Sequence, residues 1–166
     1  MSEKIKISYL DGFKIYGLKA RTKNADELGG SGKIPALWAK FMKECYDGRS
    51  EIYGVYYDYE DGADGLYDIF IGTKAPRSDE ALEIKSGKYA VFSFPNEPQN
   101  VAKFWSKIWS FFEAGELKRA FGTDFEFYGG DEIKFLSRFC RAAHEIYKRR
   151  VIFLRRDDKL LRKISI

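Results

Sequence analysis

Hydrophobic positions along this chain follow two rhythms. Seven stretches, at about 4–9, 13–21, 51–59, 67–75, 87–94, 122–128 and 132–139, are rich in β-branched and aromatic residues and bounded by Gly, Asp, Asn or Pro, which predicts strands. Two others repeat at helical spacing. Leu37, Trp38, Phe41, Met42 and Cys45 mark a helix over about 34–46, opened by Pro35 in its first turn, where proline is tolerated. Val101, Phe104, Trp105, Ile108, Trp109 and Phe112 form one stripe of a second helix over about 98–114. Asp61–Gly65 and Gly129–Asp131 read as turns between neighbouring strands.

In order, the elements give strand, helix, strand, strand, and then the same again, over about 13–75 and 87–139. Two such units can pair their strands into one antiparallel-rich sheet with both helices on one face. The expected fold is α+β: duplicated β-α-β-β units with pseudo-twofold symmetry, the face away from the helices curving around a ligand cleft.

Alternation along 122–128 sends Phe125 and Phe127 to one side of the sheet and Asp124, Glu126 and Tyr128 to the other. Phe125 and Phe127 are expected under the helices. Glu126 then either faces water or meets a partner, because a lone buried carboxylate is costly. On 51–59, Tyr53, Val55, Tyr57 and Tyr59 share a face opposite Ile52, Tyr56 and Asp58. On 87–94, Ala90, Phe92 and Phe94 alternate with Tyr89, Val91 and Ser93. Singly these aromatics read as core; tyrosines on both units, taken with Glu126, suit an aromatic cage for a cation.

Composition narrows the function classes. The 166 residues suit one globular domain, and 45% hydrophobic content argues against global disorder. The 14 Phe, 11 Tyr and 3 Trp supply flat apolar surface in excess. Two cysteines without metal-ligand spacing point to no disulfide framework, no metal and no cofactor. The N-terminus lacks a signal-peptide pattern and no apolar run nears a membrane span, so the expectation is a cytoplasmic protein with no membrane partner. The net charge of +4 hides a split: from residue 134 onward there are 11 Lys/Arg against 3 Asp/Glu, and the body before it is mildly acidic. Nucleic-acid binding is therefore not expected of the body, and the basic tail alone suits a weak contact with an anionic polymer. Residues 141–166 suggest a short helix and a terminal strand, with His144, the single histidine, on the helix surface.

Several phrases, taken in order, resemble the AraC-type effector-binding, or GyrI-like, domains. They are Gly17–Thr22, Ile34–Phe41, Ile52–Glu60, Tyr67–Gly72, Gly87–Phe92, Trp105–Trp109 and Thr123–Tyr128, covering roughly residues 3–139. The chain looks most like small stand-alone members, including integron-cassette proteins that bind cationic drugs. The resemblance implies an effector-binding domain over 1–139, with 140–166 as a basic extension beyond the family's last strand. It also implies a glutamate at the floor of a groove, which maps onto Glu126, and aromatic walls, for which Tyr53, Tyr57, Trp105, Trp109 and Phe92 are the candidates. The helix-turn-helix that often precedes this domain has no counterpart here, so direct transcription-factor activity is not expected. The function implied is a stand-alone binding module for lipophilic or aromatic cations, without catalysis. The alternatives are a hydrolase of electrophilic small molecules, with a glutamate as general base and a tyrosine as proton donor, and an inhibitor or partner-binding protein.

Overall fold

The computed structural model describes residues 5–115 and 117–141. The elements are β1 (Lys6–Leu10), β2 (Phe13–Thr22), α1 (Asn24–Leu28), α2 (Ile34–Glu44), β3 (Ile52–Tyr57), β4 (Tyr67–Thr73), β5 (Ala81–Ile84) and β6 (Gly87–Pro95). A single 3-10 turn (Pro98–Asn100) leads into α3 (Val101–Ala114), followed by β7 (Leu117–Tyr128) and β8 (Glu132–Arg141). All eight strands join one sheet in the order β1-β6-β8-β7-β3-β4-β2-β5, and all its pairings are antiparallel.

That order is the duplication made visible. The units β2-α2-β3-β4 and β6-α3-β7-β8 meet at the central β3–β7 pair, and β1 and β5 extend the two edges. Both long helices cover the same face. Leu37 and Phe41 of α2 pack on Ile52, Ile69 and Ile71. Phe104, Trp105, Ile108 and Phe112 of α3 pack on Phe92, Phe94, Ile133 and Phe135. Trp38 and Trp105, one from each unit, stand over the central strands from opposite flanks.

The other face is covered by the sheet itself. Phe13 lies three strands from Phe125 in the sheet order, which in a flat sheet would hold them roughly 14 Å apart. Their ring centroids are 6.5 Å apart, and Tyr89, two strands away on the other side, comes within 5.5 Å of Phe125. The sheet is curled, and its concave side closes on Ile15, Tyr53, Val55, Phe70, Tyr89 and Phe125 with no helix residue among them. This corrects the expectation for Phe125 and Phe127. Phe125 is buried in the curl and Phe127 packs partly buried beside it, while the helices cover the side of Asp124, Glu126 and Tyr128. Curling removes the need for a helix on that face, so apolar alternation alone did not say which side the helices take.

Three pieces lie outside the sequence expectation: α1, β5 and residues 117–121 of β7. They are short or heavily charged, and so carry little periodicity. The helix and strand expected beyond Arg141, and His144, lie outside the described residues. Among the described residues no helix is long and apolar enough to cross a membrane.

Candidate functional site

Glu126 sits at the centre of the sheet, opposite Gly54 of β3 on one side and Phe135 of β8 on the other. The glycine leaves the room the carboxylate needs. Oε1 accepts the Tyr56 hydroxyl at 2.8 Å and the Trp105 indole N–H at 2.5 Å, and Oε2 accepts the Tyr128 hydroxyl at 2.6 Å. Glu126 is 1% exposed, and no lysine or arginine among the described residues pairs with it. Burial pushes its carboxyl above the usual carboxylate range, while the three donors pull in the opposite direction. Burial and the nearby carboxylate hold Tyr56 and Tyr128 protonated far above their ordinary range, so both stay donors.

Above this carboxylate lies a cavity of about 440 Å³ between α3 and the segment formed by α1 and the start of α2. Tyr56 and Trp105 are walls of the cavity and donors to Glu126 at once, so the charge stands one aromatic layer behind the open space. Tyr67 and Tyr59 continue the floor: Tyr56 and Tyr67 rings are 5.8 Å apart, Tyr59 and Tyr67 rings 5.6 Å. Trp109, one helical turn beyond Trp105, lines the α3 side. At the rim, Leu28 of α1 is 78% exposed. Glu27, also on the rim, accepts the Thr22 hydroxyl at 2.5 Å and the Lys33 amide at 2.8 Å, which ties α1 to the start of α2.

A second buried carboxylate, Asp124, lies behind two of the lining residues, Tyr59 and Arg119. The β7–β8 register shifts between Arg119 and Asp124, and Phe121 within that irregular stretch has φ of 48°. The irregularity lets Arg119 reach back to Asp124 at 2.5 Å. Asp124, fully buried, also accepts the Tyr59 hydroxyl at 2.9 Å, the Ser137 hydroxyl at 2.5 Å and the Arg138 amide at 3.2 Å. The Arg119 guanidinium lies over Phe121, 4.5 Å from its ring centre.

The family model for the GyrI-like small molecule binding domain matches residues 3–147. The chain belongs to that family. YobU of Bacillus subtilis (strain 168), a protein named as a candidate transcriptional regulator, is 31% identical over 137 residues, spanning 74% of this chain and 84% of its own length. An integron cassette protein from the mobile metagenome of Vibrio cholerae is 33% identical and superposes with a TM-score of 0.74, over 82% of this chain and 95% of the other. SAV2435, solved bound to tetraphenylphosphonium, shares the fold at 16% identity and a TM-score of 0.64, over 82% of this chain and 94% of the other.

Within this GyrI-like domain the sequence candidates divide. Glu126 and Trp105 are in direct contact, and Trp109 lines the same cavity. Tyr53 and Tyr57 are not with them: both point to the concave side, where Tyr53 stacks among Phe13, Phe125 and Phe127. Phe92 is core under α3, against Phe111 and Phe112. The cavity itself lies on the helix face, between the two helices, rather than on the opposite side. Residues missed by the sequence reading are Tyr56, Tyr128, Tyr59, Tyr67 and Arg119. The signal that could have found Tyr56 is Gly54, since a glycine inside a strand marks a close approach, and its neighbours two residues away share its face.

Proposed function

We propose that this domain binds lipophilic or aromatic cations in the cavity between α1–α2 and α3, with Glu126 as the counter-charge. The observation that carries the reading is a fully buried carboxylate whose partners are three neutral donors, two of them cavity walls, with no cation among the described residues to neutralise it. Such a charge is expensive away from water until an opposite charge joins it. A cation resting on Tyr56 and Trp105 would lower that cost from the far side of the rings. Each ring face would add about 0.5–2 kcal/mol of cation–π attraction. The cavity volume falls within the roughly 300–1,000 Å³ usual for small-molecule sites. Tetraphenylphosphonium, the ligand of SAV2435, is a cation clad in aryl rings and supports this class.

Calorimetric titration with tetraphenylphosphonium and with triphenylmethanol, a neutral aryl analogue, tests the reading. Glu126→Gln keeps the shape and one acceptor oxygen but removes the charge. Cation affinity should fall at least about tenfold, roughly 1.4 kcal/mol, with the neutral compound little changed. Equal losses for both compounds would reduce Glu126 to a packing role.

A further inference from the structure

We infer that the ligand carries its positive charge on an N–H group, a protonated amine or ring nitrogen, which donates a hydrogen bond to the Tyr67 hydroxyl oxygen. The inference rests on the cation reading above and names the ligand class more narrowly. Most polar groups of the cavity's aromatic lining are committed within the protein. The Tyr56 hydroxyl and the Trp105 indole N–H go to Glu126, and the Tyr59 hydroxyl goes to Asp124. On the rim, Glu27 accepts the Thr22 hydroxyl and the Lys33 amide on one oxygen and the Ile34 amide on the other. Tyr67 lines the same cavity, its ring against those of Tyr56 and Tyr59, and its hydroxyl bonds to nothing among the described residues.

That oxygen is open to the cavity. Tyr67 is 3% exposed. Among the described residues, the unpaired side-chain atoms without accessible surface are Trp109 Nε1 and Arg119 Nε, and the Tyr67 oxygen is not one of them. The surface it keeps therefore borders the cavity that Tyr67 lines. Its surroundings choose the partner. Burial first, and then the Glu27 and Glu126 carboxylates, hold the hydroxyl protonated above its ordinary range, with Arg119 opposing. Two carboxylates around one oxygen attract a positive hydrogen and repel a second acceptor. A cationic N–H brought into the cavity needs an acceptor in turn, because an unpaired charged donor away from water costs more than a neutral one. Quaternary ammonium and phosphonium cations have no such hydrogen. They can use the rings and leave the hydroxyl idle.

The test compares acridine orange, protonated on its ring nitrogen at neutral pH, with its 10-methyl derivative, in which a methyl replaces that hydrogen. Both dyes carry one charge on the same ring system. In fluorescence titrations the wild-type protein should bind acridine orange at least about fivefold more tightly, within what a hydrogen bond to a charged group contributes. The deciding quantity is the ratio of the two affinities, in which any packing loss common to both dyes cancels. Tyr67→Phe should bring that ratio below about twofold, since the acceptor is gone. The variant should also melt no lower than wild type, because the hydroxyl it removes has no partner in the protein. A marked loss of stability would mean that the hydroxyl is paired internally, and would overturn the inference. Equal affinities in the wild type would overturn it as well. So would a ratio kept in Tyr67→Phe, because the added methyl would then be what the cavity rejects. Tetraphenylphosphonium separates this inference from the reading beneath it. If it binds while neither dye does, the N–H inference alone falls; if none of the three binds, the cation reading falls with it.

Discussion

A methyl group added at Gly54 would lie 3.1 Å from Oε2 of Glu126 and 3.4 Å from Cζ2 of Trp38. The strand glycine is thus the socket of the buried carboxylate, and the neighbour it would crowd is held by three hydrogen bonds that resist a shift. Gly54→Ala should destabilise the fold by about 1–3 kcal/mol, the usual cost of overpacking. Gly122→Ala is the control: its added carbon would meet Arg138 at an ordinary 3.7 Å, and a change within about 0.5 kcal/mol is expected. Urea unfolding of both variants decides the point, and equal effects would remove the special role of Gly54.

The Glu126 carboxyl is raised by burial, so the folded protein holds this proton more tightly than the unfolded chain does. Stability from this group is full below the unfolded value of about 4.3 and is lost as pH rises through the higher folded value. Glu126→Gln has no such titration. The stability of Glu126→Gln relative to wild type should therefore grow as pH rises above about 4.3 and then level off. A constant difference across that range would mean that Glu126 titrates normally. Because a bound cation favours the ionised carboxylate, binding near the folded value should release a proton. That release is measurable by calorimetry in buffers of different ionisation heat.

Asp124 and Arg119 form a buried ion pair, the carboxylate fully enclosed and the guanidinium side chain 9% exposed. Asp124→Asn leaves the arginine without its counter-charge and weakens the acceptor that Tyr59, Ser137 and the Arg138 amide share. A loss of about 3–5 kcal/mol is expected, as for other broken buried pairs. The double variant with Arg119→Met should recover part of it, since no unpaired charge then remains buried. Denaturant unfolding of the single and double variants measures the difference. No recovery would mean that the hydrogen bonds, and not the charge, dominate.

The duplicated fold was legible because each unit carries a helical stripe between strand-like runs, and Trp38 and Trp105 mark equivalent edges of it. Strand parity was legible in part: Asp124, Glu126 and Tyr128 do share a face, as do Tyr53, Val55 and Tyr57. Tyr59, expected with the latter, lies on the helix side instead, because β3 ends at Tyr57 and Asp58 takes φ of 53°. What alternation could not supply was the β3–β7 register and the side the helices cover. A slip of one residue exchanges the faces, and the register that sets Gly54 opposite Glu126 joins the carboxylate to Tyr56 and not to Tyr53 or Tyr57. The Arg119–Asp124 pair was hidden for a different reason. It depends on an irregular stretch of β7 that reads in sequence as a charged link, and an ion pair across a bulge has no period.

The face assignment can be tested on adjacent tyrosines. Tyr56 and Tyr57 follow one another on β3, but only Tyr56 donates to Glu126, at 2.8 Å, while Tyr57 packs beside the concave cluster. Tyr56→Phe keeps the ring and removes one donor to a charged acceptor, a bond worth about 1.5–3 kcal/mol. Without it burial acts on Glu126 less opposed, so its titration should move to higher pH, and cation binding should begin to fail at a higher pH than in the wild type. Tyr57→Phe should leave both the titration and the affinity unchanged, because its hydroxyl lies on the other side of the sheet. Tetraphenylphosphonium titrations across a pH series for the two variants make the comparison. If Tyr57→Phe shifted the pH profile and Tyr56→Phe did not, the carboxylate would belong to the concave face, and the assignment of the site to the helix face would be wrong.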